Sequence, residues 1–184
     1  MTPRLLAASL SLLAIGLTAA GLAAEAPKPA APVMVAASEA TAPNFAGLGN
    51  WFNSPPLNIA DLRGKVVLVN FWTYGCSNCV NTLPHVTELY AKYQDRGLVV
   101  VGIHTPEFPF ERSAANVQAA LKRHGIVYPV AQDNDSRTWD AYHNQYWPSQ
   151  YIVDQSGKIV FHHDGEGQYD QIDRTIAKLL NASS

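Results

Sequence analysis

The sequence predicts an α/β sandwich on a mixed sheet, with a small insert between its two halves. Three observations carry this. Two near-continuous apolar runs, 65–72 and 97–104, suit strands covered on both faces. Segments of helical period follow them. Two later strand-like runs, "SQYIVD" and "GKIVFHHD", flank "QSG" and read as a hairpin. The predicted order is β-α-β-α, the insert, then β-β-α, which builds a sheet layered with helices.

The first 24 residues stand apart from this pattern. "MTPRLLAASLSLLAIGLTAAGLAA" has one cation, Arg4, then a long Leu/Ala run and small residues near Ala20 to Ala24. That is a secretory signal pattern. The run is also long enough for an uncleaved anchor. It holds no cysteine, so a lipid-modified start is excluded. Either way the folded part is expected outside the cytoplasm, periplasmic or tethered facing the periplasm. Membrane contact is expected only through an uncleaved N-terminus. Residues 25–44 are Ala/Pro-rich without apolar periodicity and read as a disordered tether. The folded domain is expected over 45–184, opening with a short hairpin before the first long strand.

Within that domain, Val80, Leu83, Val86, Tyr90 and Tyr93 recur at steps of three and four, giving a helix with one core-facing side. Pro84 falls inside it and should kink it. Residues 111–125 read as a helix ended by Gly125. "YPVAQD" reads as a short strand. Residues 135–143 form a short helix capped by Asp135 or Ser136. The last helix, 168–180, carries Ile172, Ile176, Leu179 and Leu180 on one face.

Composition narrows the function classes. The 184 residues are 47% hydrophobic, enough for one domain with its own core. Lys and Arg (13) are outnumbered by Asp and Glu (15), and no basic run occurs, so nucleic acid is not an expected partner. A monomer is the default expectation.

The chain has two cysteines, Cys76 and Cys79. As a staple they would close a four-residue loop and add only about 2 kcal/mol. As a zinc site they lack two ligands. His85 is near in sequence, and His162 and His163 are adjacent on a strand and so point to opposite faces. No metal is expected, although copper(I) on two thiolates stays open for an exported protein. The favoured reading is a redox centre, a Cys76–Cys79 disulfide that opens to a dithiol, with no further cofactor. One thiolate attacks a partner disulfide and the other resolves the mixed disulfide. The pair falls where a strand ends and a helix begins. A helix N-terminus offers free N–H groups and partial positive charge, which favour a thiolate on Cys76. Cys76 is therefore the expected exposed nucleophile, and Cys79, one turn inside, the resolving thiol.

"NFWTYGCSNC", Pro84 five residues after the second cysteine, and "YWPSQYIVD" resemble a thioredoxin-like domain across nearly all of residues 45–181. Within that superfamily the chain resembles exported TlpA-like and redoxin proteins. More specifically it resembles the soluble domain of DipZ-type proteins, through "WFNSPPLNIADLRGKVVLVNFWTYGCSNC", "VVVGIHTPEF" and "YWPSQYIVD". The resemblance implies a three-layer α/β/α thioredoxin-like sandwich. It implies a cis peptide at Trp147–Pro148 lying against the cysteine pair, with backbone to offer an extended partner segment. DipZ-type chains carry a fused membrane part that delivers electrons. This chain lacks it, so a separate membrane donor of the DsbD/CcdA type is the expected partner, beside protein thiols and disulfides.

The sequence departs from the family pattern at the proton acceptor for Cys79. Asn70 stands where thioredoxins place a buried Asp, and Thr82 where many TlpA-like proteins place a Glu. Glu107, and after it His104, are the candidate substitutes, because chemistry gathers at strand C-terminal ends. Trp72 is expected in the core. Tyr74 and Trp147 are expected to meet substrate. Ser77 and Asn78 carry no charge, which argues against a very strong oxidant.

The expected function is an exported thiol–disulfide oxidoreductase, more a reductase of exported disulfides or of cytochrome c maturation thiols than an oxidase. Two alternatives stand beside it. One is a thiol peroxidase with an antioxidant role, for which Thr73 fits P-x-x-x-T-x-x-C but Val69 does not. The other is a copper-binding thioredoxin-like module.

Overall fold

The computed structural model describes residues 40–182. The expected export signal and nearly all of the expected tether lie outside them. Six strands form one sheet: β1 (Trp51–Phe52), β2 (Val66–Trp72), β3 (Leu98–His104), β4 (Val130–Gln132), β5 (Ser149–Val153) and β6 (Ile159–Asp164). Their order is β1-β4-β3-β2-β5-β6. β2 runs parallel to β3, and β3 to β4, while β5 is antiparallel to both β2 and β6. The sheet is therefore mixed, with β2 and β3 central.

Residues of α1 (Ser77–Tyr93), α2 (Ala114–Arg123) and α4 (Tyr169–Asn181) share one core cluster with Leu68, Trp72 and Val100 of the sheet. The opposite face packs Val67, Val69, Phe71 and Val101 against Ala42, Ile59 and Tyr142, with Trp139 and Tyr142 belonging to α3 (Arg137–Ala141) and its C-terminal end. Every residue of β2 is buried, as its unbroken apolar run requires. In α4, Ile172, Ile176 and Leu180 are buried at four-residue steps. α1 continues through Pro84 to Tyr93.

Several boundaries differ from the sequence expectation. The expected early hairpin does not form. β1 instead pairs with β4, Trp51 opposite Ala131 and Phe52 opposite Val130. Pro55 and Pro56 follow it and have no N–H with which to build a return strand. The tether ends before residue 44. Thr41 bridges Lys158, Ala42 N–H donates to the Gly157 carbonyl at 2.9 Å, and Ala42 is buried. The expected helix 111–125 splits. Pro109–Arg112 form a 3₁₀ turn, and α2 starts after Ser113, whose Oγ accepts from Asn116 N–H. The side chain of neither Asp135 nor Ser136 caps α3. The Asp133 carboxylate accepts from the N–H groups of Thr138 and Trp139 at 3.2 and 2.8 Å.

Candidate active site

The two cysteines sit where the central strand hands over to a helix. β2 ends at Trp72, three residues turn, and Cys76 is the N-cap of α1 with extended backbone (φ −90°, ψ 118°). An N-cap side chain accepts from the backbone of the first turn, usually through oxygen. Here the Cys76 sulfur takes that place, and Cys79 N–H donates to it at 3.2 Å. The Cys76 sulfur is thus held against the unpaired N–H groups and positive end of a 17-residue helix. Cys76 is partly exposed, and Cys79 is wholly buried one turn in. Both are free thiols.

Burial is the main cause that pushes the Cys79 thiol far above its ordinary value. The Cys76 sulfur and the nearby Glu111 charge act in the same direction, while a backbone hydrogen bond at Thr73 opposes them. Cys79 is therefore a neutral thiol at rest.

The third wall comes from the start of β5. The Trp147–Pro148 peptide is cis, and the Cys76 sulfur lies 3.9 Å from the Trp147 carbonyl oxygen. Pro148 is buried. Trp147 is half-buried, donates its indole N–H to the Thr105 carbonyl at 3.0 Å and rests on the Trp139 ring. Tyr74 is half-buried as well. Its hydroxyl donates to the Phe110 carbonyl and its ring stacks on His104. The structure thus gathers Cys76, Cys79, Tyr74, Trp147 and Pro148 around one spot.

Glu107 does not join them. It is exposed, and its contribution is its backbone N–H, which donates to Glu111 at 2.7 Å. Solvent reaches its carboxylate, so it has no privileged path to Cys79. His104 is fully buried beneath Tyr74, its Nε2 3.3 Å from Thr73 Oγ1. Burial lowers its pKa to about 4 despite the Glu111 charge, so the ring is neutral near pH 7. Asn70 is buried and its Oδ1 accepts from Gln150. Thr82 Oγ1 donates to the Asn78 carbonyl. Trp72 is fully buried, as expected.

The residue missed from sequence is Glu111. It is fully buried, and its carboxylate receives three backbone N–H groups: Gly75 on Oε1 at 2.9 Å, and Glu107 and Phe108 on Oε2 at 2.7 and 2.9 Å. The available signal was an acidic residue three places after Phe108, the spacing at which a side chain reaches back to the start of a turn. His85 stacks on Tyr169, and His162 lies on Tyr151 with its Nε2 at 2.8 Å from Asp164. Among the described residues, no group of three or more His, Cys, Asp or Glu side chains is placed to hold a metal ion.

The fold, with a cysteine pair at the start of the helix that follows the central strand, is of the thioredoxin-like class. The family model described as AhpC/TSA matches residues 39–162, and the chain belongs to that family. It is 44% identical over 144 residues to protein DipZ of Mycobacterium tuberculosis, covering 77% of this chain and 21% of that protein. The chain thus spans about a fifth of the length of the DipZ proteins it matches. It is 27% identical over 138 residues to the thiol-disulfide oxidoreductase YkuV of Bacillus subtilis, covering 75% of this chain and 93% of YkuV. Among solved structures, the thioredoxin-like superfamily protein SPOA0173 superposes with a TM-score of 0.70 at 30% identity, over 76% of this chain and 96% of that one.

Proposed function

We propose that this chain is an exported reductase of protein disulfides, acting through a Cys76 nucleophile and a Cys79 resolving thiol. The observation that carries the reading is the asymmetry of the pair: Cys76 is partly exposed at the helix N-cap, and Cys79 is a buried neutral thiol behind it. The Cys76 thiolate attacks a partner disulfide, that S–S bond breaks, and the partner's other sulfur leaves as a thiolate. Cys79 then gives its proton to the leaving thiolate or to water and attacks the Cys76 sulfur. The partner departs reduced by two electrons, and the Cys76–Cys79 disulfide holds the oxidation. The Trp147 carbonyl and Tyr74 flank the point of attack and are assigned to the partner segment.

Export rests on the Leu/Ala run behind Arg4. A net reductase ends each cycle oxidised, so it requires a donor, and outside the cytoplasm a membrane dithiol carrier of the DsbD/CcdA type fits that role. Disulfides of exported proteins, and disulfides that form between cytochrome c maturation thiols, are the substrate classes. The uncharged Ser77–Asn78 pair favours this direction, because no cation between the cysteines adds to thiolate stability.

The test is the reduction potential of the pair, equilibrated against glutathione or dithiothreitol buffers. A value near thioredoxin's, about −270 mV, supports a reductase; one near about −120 mV makes the protein a disulfide donor. The family match and Thr73, three residues before Cys76, favour a second reading, a thiol peroxidase. Peroxide consumption that depends on a dithiol donor and exceeds the rate of insulin reduction would favour it over the first.

A further inference from the structure

We infer that Glu111 is a positioning residue of the redox centre, a buried carboxylate on the neighbouring loop that fixes the turn presenting Cys76 and sets a charge beside the cysteine pair. The inference rests on the oxidoreductase reading and adds a residue that neither the cysteine motif nor the expected proton acceptors include.

The geometry has two parts. First, Glu111 ties two loops into one body. Its Oε1 accepts from Gly75, the residue before the nucleophile, and its Oε2 accepts from Glu107 and Phe108. Three donors on two oxygens suit a carboxylate, which has acceptors alone. A Cβ on Gly75 would lie 2.3 Å from Oε1, so glycine is what allows the approach. Second, this charge is sealed from water, where its field is weakly screened. The titratable groups around Cys79 are Cys76 at the helix start, Glu111 from the β3–α2 connection and His104 from β3; Tyr169 of α4 reaches Thr82 on the next turn at 3.4 Å. Burial keeps His104 neutral near pH 7. After burial and the Cys76 sulfur, Glu111 adds a further charge that raises the Cys79 thiol in the same direction.

All three Glu111 bonds come from backbone N–H groups, so its oxygens are already occupied. That suits a fixed charge better than a base that takes up the Cys79 proton. The consequence is an order of events. Cys79 does not compete with Cys76 for a partner, and it becomes a nucleophile only when the mixed disulfide and its leaving thiolate are in place.

The test uses the folded chain in a Cys76→Ser background and follows alkylation of Cys79 by iodoacetamide against pH, with no partner protein present. Glu111→Gln is expected to lower the midpoint by about half a pH unit, a roughly threefold faster reaction at a given pH below it. A midpoint that stays put while the plateau rate rises means opened packing alone and overturns the inference. Should Glu111→Gln fail to fold, Gly75→Ala displaces the carboxylate without deleting it. The midpoint is then expected to fall as well, and an unmoved midpoint overturns the inference. Insulin reduction by the unaltered chain separately decides the oxidoreductase reading.

Discussion

The loops that follow β2 and β3 lie side by side at the same end of the sheet and do different work. The first, Thr73–Cys76, ends in the sulfur proposed as nucleophile and sets it at the N-cap of a helix. The second, Thr105–Glu111, has no sulfur and no exposed reactive group at the site. It contributes a buried carboxylate, a ring stacked on a ring, and a carbonyl for Tyr74. The difference teaches that reactivity and its control are encoded about thirty residues apart. The parallel pairing of β2 with β3, Trp72 opposite His104, is what brings them together.

The largest effect expected from breaking this division is on the first loop. Cys76→Ser should abolish disulfide exchange, while Cys79→Ser should leave attack intact and trap the partner as a mixed disulfide, visible on a non-reducing gel. Trapping by Cys76→Ser instead would reverse the assigned roles.

A second test falls on the base of the other loop. His104 has a folded pKa near 4 against 6.5 in a model peptide, because burial disfavours the cation. The unfolded chain therefore binds more protons between those values, and stability rises with pH there. The contribution is fully present above about pH 6.5 and is lost as pH falls toward 4, at about 3 kcal/mol in full. Urea midpoints measured across that window should fall with acid, and His104→Gln should flatten the slope. An equal slope in the variant would place the titration elsewhere.

The smallest effect expected is none. Glu107→Gln should leave exchange rates and their pH profile unchanged, since the residue serves through its backbone N–H. A shifted profile would return Glu107 to the site and blur the contrast between an exposed and a buried carboxylate four residues apart.

The sequence made the first loop legible and most of the second opaque, for physical reasons. Apolar runs and a strand–turn–helix boundary are local patterns, so β2, β3, α1 and the placing of Cys76 and Cys79 could be read directly. The aromatic tract before "PSQYIVD" located the third wall through family resemblance. Glu111 was only faintly signalled, by its spacing from Phe108, because its burial depends on three N–H groups that the folded chain aims at it. By charge alone, Glu107, nearer the strand end, was the better candidate. The same limit hid β1, two residues whose partner lies about eighty residues downstream, and the Asp133 cap, whose carboxylate reaches past the nearer Asp135 and Ser136 to the start of α3.

The position of β2 in the strand order has a consequence for how the chain is made. One of its neighbours is β5, about eighty residues later, and Thr41 forms an isolated bridge with Lys158. Contacts so far apart in sequence form late and slow the search for the native state. A ribosome that has released both cysteines has not yet released the Trp147–Pro148 wall that stands against them. Until residue 148 and the hairpin beyond it arrive, the thiols belong to an unfinished chain, and a truncated product ending before β5 would carry the cysteine pair without the wall that covers it in the fold.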